Sequence, residues 1–145
     1  MAITSAVCSS FKQELLQGKH DFDSASGDTF KIALYTSSAT LGASTTSFTT
    51  DNEVGASGQY ASGGGALAVG SQQTSVASGV SIVDFADRSF TGVTITARGA
   101  LIYNTSNSDS AVAVLDFGGD KTATAGTFTI QFPAFTTSAA ILRIS

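Results

Sequence analysis

The sequence predicts a mainly β fold, an antiparallel β-sandwich or barrel with one short N-terminal helix. Three observations carry this reading. Several short segments alternate apolar and polar side chains at period two, the signature of strands. Turn-forming Gly, Asn and Ser clusters separate them at intervals of about 8–12 residues, the rhythm of all-β domains. Helical periodicity occurs in a single stretch near the N-terminus. Neither an internal repeat nor a linker divides the 145 residues. One domain is therefore expected over 1–145, with an N-terminal arm and short helix over 1–27 and the β-sandwich over 28–145. A chain of this length buries roughly 70% of its unfolded surface, enough for a self-supporting core.

The helix is read from SSFKQELLQGK (9–19). Ser10 and Gln13 have capping-box spacing, and Gly18 is placed to end it. Val7, Phe11 and Leu15 recur at i, i+4 and i+8 as one apolar stripe, with Leu16 beside it. So short a helix is marginal alone and must dock on something. HDFDSASGD (20–28) follows as a turn-rich connection. TFKIALYT (29–36) alternates, with Phe30, Ile32 and Leu34 on one face and Lys31 on the other, as a half-buried strand does.

Residues 37–65, SSATLGASTTSFTTDNEVGASGQYASGGG, have few apolar anchors. Loops of that length are functional, disordered or built around a partner. ALAVG (66–70) and SIVDFA (81–86) read as short strands, and GVTITARGALIY (92–103) as the longest, with Val93, Ile95 and Ala97 sharing a face. Gly99 within it marks a bulge or a close backbone approach. NTSNSDS (104–110) is a turn from which AVAVLDFG (111–118) returns antiparallel. GGDK (118–121) then reads as a tight turn with Asp116 and Asp120 as turn and cap residues. GTFTIQFP (126–133) groups Phe128, Ile130 and Phe132, and AAILRIS (139–145) closes the chain with Leu142 and Ile144 inward.

Charged residues make up 12% of the chain, about half the usual globular share. Net charge is −4, and the seven basic residues are scattered. No run neutralises adjacent phosphates, so nucleic acid is not an expected partner. Cys8 is the single cysteine, which excludes an internal disulfide and a cysteine-based zinc site. The N-terminal residues lack the basic start and apolar core of a signal peptide. No apolar run approaches the ~20 residues of a membrane span. A soluble protein made in a cytoplasm, without a membrane partner, is expected.

The search for chemistry excludes one class after another. His20 is the only histidine, and a dyad with Asp21 or Asp23 lacks a third group to orient it. It reads instead as a helix-terminal histidine favoured by the dipole. DFDSASGD resembles a calcium loop, but an EF-hand starting at Asp21 finds Ser26 and Ile32 where glycine and glutamate are needed. Nothing in the sequence brings Asp84, Asp87, Asp116 and Asp120 together as a glycosidase pair. GASGQYASGGG lacks the lysine of a phosphate loop. The ten phenylalanines fall mostly on inward faces, which leaves Tyr35, Tyr60 and Tyr103 as the candidates for exposed stacking. The expectation is no enzyme, with no catalytic, cofactor-binding or metal-binding residues.

Several stretches in order resemble a family of small virion proteins encoded among the structural genes of tailed bacteriophages. They are FKQELLQGKHDF, DTFKIALYT, TDNEVGASGQYASGGGALA, VTITARGALIYN, AVAVLDFGGDKTATAGTFTIQFP and the terminal AAILRI. They span most of the chain, and the TITARGALIYN…VLDFGGDK block is the most specific part. The resemblance implies a capsid decoration (cement) protein on the virion surface, synthesised in the host cytoplasm. Such proteins clamp neighbouring major capsid protein subunits as homo-oligomers, often trimers. A tail or head–tail junction subunit, or a receptor-binding β domain of the same virion, is the alternative, and a carbohydrate-active β-sandwich using Asp116 or Asp120 ranks behind both. Under this reading the contact residues are Phe11, Leu15 and Leu16 on the helix, and Thr50, Asp51, Asn52, Glu53 and Tyr60 in the long loop.

Overall fold

The computed structural model describes residues 2–69, 74–77, 79–136 and 138–144. Strands β1 (Ala6–Val7), β2 (Phe30–Tyr35), β3 (Gly65–Leu67), β4 (Thr74–Ala77), β5 (Val80–Val83), β6 (Arg88–Asn104), β7 (Ser110–Ile130) and β8 (Leu142–Ile144) accompany one helix, α1 (Ser9–Leu16). The expected class is observed: mainly β, antiparallel, with one short helix. The strands form a five-stranded sheet in the order β1-β7-β6-β2-β3 and a three-stranded sheet in the order β4-β5-β8. The expected strand over 66–70 is observed as β3, which starts one residue earlier and ends at Leu67. Gly70 and Ser145, the ends of two expected strands, lie outside the described residues.

The hairpin β6–β7 is the spine. Its two strands pair from Arg88↔Ile130 to Asn104↔Ser110, around a turn that holds Ser108 and Asp109 at positive φ. Burial alternates along β6 at Phe90, Val93, Ile95 and Ala97, then becomes continuous from Gly99 to Asn104. The switch occurs where β2 joins on the other side and the strand becomes central. At Gly99 the backbones approach so closely that a Cβ would stand 2.5 Å from the Leu115 carbonyl oxygen. The register also shifts between Ala97 and Gly99, so this glycine marks both a bulge and a close approach.

The structure corrects the sequence reading at several points. GGDK is no turn: β7 runs unbroken through it to Ile130, so GTFTIQFP continues the same strand. Lys121 faces Ala97 and Asp116 faces Gly99, so Phe117, Gly118, Gly119 and Asp120 stand opposite Arg98 alone and bulge out of the ladder rather than ending the strand. Gly118, at φ +79°, lies in this bulge, and Asp116 Oδ1 accepts the Gly118 N–H across it at 2.9 Å. β2 is buried on both faces. Phe30 stacks on Phe22, and the opposite face carries Tyr35, whose hydroxyl donates to the Thr49 carbonyl of the overlying loop. β4 was not expected from the sequence. Ile144 is 57% exposed rather than inward, while Leu142 is buried as expected.

The N-terminal segment is pinned, not a free arm. β1 pairs with β7 through Ala6↔Val114 and Val7↔Ala113, and the Thr4 N–H donates to Leu41. The helix that follows has no capping box. Cys8 is its N-cap without a side-chain bond, and the Ser10 hydroxyl is buried without a partner. Its other end is as read. Gly18 sits at φ +71°, its N–H donates to Leu15, and the Lys19 N–H reaches back to Glu14, a Schellman closure.

His20 follows the C-terminal end of α1, where the sequence places it, but it is a core residue. Its ring is buried between Phe11 (centroids 4.8 Å) and Phe30 (6.4 Å). Asn104 bridges it to the following turn, with Nδ2 3.0 Å from His20 Nδ1 and 2.7 Å from Asp28 Oδ2. Burial lowers the imidazole pKa below its usual value, while the nearby Glu14 and Asp28 carboxylates oppose that shift. Each large apolar side chain in this core contributes about 1.5–3 kcal/mol by leaving water.

Candidate interaction surface

The long loop after β2, read from sequence as functional, disordered or built around a partner, closes on its own chain. Its backbone is tied at Thr36 N–H to Asn52, Val54 N–H to Leu34 and Gln59 N–H to Thr91. Ala39, Leu41, Val54 and Tyr60 enter the core. At its centre is Glu53. The Tyr60 hydroxyl donates to Glu53 Oε1 at 2.8 Å, the Gly63 N–H at 2.7 Å, and the Ser62 hydroxyl to Oε2 at 2.9 Å. Tyr60 in turn accepts the Leu34 N–H at 2.8 Å. Burial raises the Tyr60 phenol pKa well above its usual value, so it remains a neutral donor.

These contacts divide the eight expected contact residues. Phe11 and Tyr60 are core residues, Leu15 is half-buried against the core, and Glu53 is an internal clamp. Thr50, Asp51 and Asn52 form the exposed tip of the loop, with Asn52 at φ +62°. Leu16 is 92% exposed. The residues that remain available are thus Leu16 and the 50–52 tip.

Leu16 stands on the rim of an apolar groove of about 690 Å³ between α1 and the small sheet. Phe11, Leu15 and Phe22 line one side, and Ile82 and Leu142 the other. The two charged residues that line it are both cations, Lys12 from α1 and Arg143 from β8. Lys12 and Leu16 lie one helical turn apart and so share a face. Arg143 is positioned by a 2.7 Å bond from Nη1 to the Ser138 carbonyl, and among the described residues neither cation has an ion-pair partner. Ile144 stands on the opposite rim, and among the described residues β8 has a strand neighbour on one side only.

Sequence reasoning reached Leu16 but missed Lys12, Arg143 and Ile144. The groove joins segments more than a hundred residues apart, and no local pattern brings them together. The one local signal was two adjacent leucines on a helix whose apolar stripe needs only one.

The acidic residues are engaged separately. Asp116 accepts from Arg98 Nε at 3.0 Å and from Gly118, which together hold its carboxyl pKa below the usual range. Asp87 accepts the Phe132 N–H at 2.8 Å. Asp84 is buried against the Phe85 N–H, and loss of water around it raises its pKa. Asp120 is exposed. Among the described residues, no group of three or more His, Cys, Asp or Glu side chains could hold a metal ion. Among the described residues, no helix is long and apolar enough to cross a membrane. Compared with protein-family models, curated proteins and solved structures, the chain matches none.

Proposed function

We propose that this protein is a structural component of a tailed-phage virion, a decoration protein that binds the outer shell and stabilises contacts between capsid subunits. The observation that carries the reading is the resemblance in VTITARGALIYN and AVAVLDFGGDKTATAGTFTIQFP, which fall on β6 and β7, the two strands that organise the sheet. Low charge and a hydroxyl-rich surface suit a permanently assembled part. The self-anchored loop and N-terminal segment give a preshaped body that docks without a large ordering cost. In this reading the protein makes homo-oligomeric contacts, trimers foremost, and breaks no bond.

Quantitative mass spectrometry of purified particles tests the reading. Copy numbers in the hundreds, in fixed ratio to the major capsid protein, are expected. A count in small multiples of six or three would move the chain to the tail or head–tail junction instead. Absence from particles would sink both.

A further inference from the structure

We propose that the groove between α1 and β8 receives an extended, apolar segment of the shell protein with an acidic residue at its flank. The inference rests on the virion reading above and names the surface and chemistry through which it operates. Three features select this occupant. The groove is lined by Phe11, Phe22, Ile82 and Leu142 and rimmed by exposed Leu16 and Ile144, so the inserted side chains are apolar. Lys12 and Arg143 are the charged lining residues, on a chain whose net charge is −4. Among the described residues both cations lack an ion-pair partner and no carboxylate lines the groove, which makes it complementary to an acidic flank. Finally, β8 is an edge strand, and a free strand edge is satisfied by another extended backbone. A lipid tail would use the apolar lining but not the edge.

The experiment is a pelleting assay with purified protein and bare shells of the phage that encodes it. Wild type is compared with Leu16→Asp, with the pair Lys12→Glu and Arg143→Glu, and with Ala61→Asp as an exposed control outside the groove lining. Far-UV circular dichroism confirms that each variant is folded, as the exposure of Leu16, Lys12 and Arg143 leads one to expect. Binding should fall about tenfold or more for Leu16→Asp and for the charge reversal, equivalent to about 1.4 kcal/mol each. Ala61→Asp should bind as wild type. Added salt should weaken wild type and leave the charge-reversed protein little changed.

Wild-type binding that survives both groove variants overturns the groove while leaving the virion reading intact. Loss with Leu16→Asp but not with charge reversal overturns the acidic occupant. Self-association of the free protein that Leu16→Asp abolishes would assign the groove to a second copy and overturn the proposal. Failure of wild type to pellet would remove the shell reading, and this proposal with it.

Discussion

Tyr60 shows how one hydroxyl replaces a missing partner. It accepts from the Leu34 N–H and donates to Glu53, joining β2 to a loop whose sequence offers little apolar anchorage. Tyr60→Phe should cost about 1–3 kcal/mol, because it leaves the Leu34 N–H and Glu53 Oε1 short of a partner in a dry site. Urea unfolding measures it, and a cost near zero would mean that water replaces the phenol. His20 makes a second prediction at this scale. Its folded pKa is lowered, so the unfolded chain binds the proton first. The histidine's contribution is fully present above the unfolded pKa of about 6.5 and is lost as pH falls from there through the folded value. Wild-type stability should therefore drop between about pH 7.5 and pH 5.5 by more than that of His20→Gln. The difference between the two proteins removes the carboxylates, Asp84 included, that titrate in both. Equal slopes would show that protonated His20 is accommodated beside Glu14, whose Oε1 lies 3.6 Å from Nε2.

At the scale of elements, the glycines separate what sequence reveals from what it hides. Gly18 was legible because a helix end has local chemistry, an αL residue that closes two backbone bonds. Gly118 and Gly119 misled because the same composition marks turns and bends, and only the pairing of β7 with β6 decides between them. The alternation of Val93, Ile95 and Ala97 was legible, since one face of that stretch is covered. The two-sided burial of β2 was not, because one cover is the loop from Ser37 to Gly65, whose few apolar residues follow no period. Gly64 tests this last link. It sits at φ +78° with its α-carbon against the Ile32 carbonyl, where an added Cβ would collide with backbone. Gly64→Ala should destabilise by more than the roughly 1 kcal/mol of an ordinary positive-φ glycine, since β3 must shift from β2 as well. Gly18→Ala, with open space around it, supplies the comparison. Equal losses in a parallel thermal-unfolding series would show that the collision is relieved without disturbing the β2–β3 ladder.

For the whole molecule, the central question is whether the chain is finished before it meets a partner. Its sequence suggested otherwise, since residues 37–65 carry few apolar side chains. The structure anchors that loop through polar groups instead: Glu53 gathers Tyr60, Ser62 and Gly63, and the Tyr103 hydroxyl donates to the Gly63 carbonyl at 2.5 Å. Such a network is hard to read from sequence, because its members are spaced irregularly and look like ordinary loop residues. The groove was hidden for a related reason, its walls coming from opposite ends of the chain. Native-state hydrogen exchange on the isolated protein addresses both points. The amides of Thr36, Val54 and Tyr60, bonded to Asn52, Leu34 and Ser57, should exchange far more slowly than in a free peptide, although no partner is present. Glu53→Gln should raise exchange at Gly63 first, because it weakens a charge-assisted bond while preserving shape. Unprotected exchange across 37–65 in the wild-type protein would mean that the loop folds only on assembly. Protection there, with new protection on shell binding confined to α1 and β8, would mean that a preformed body docks through its groove.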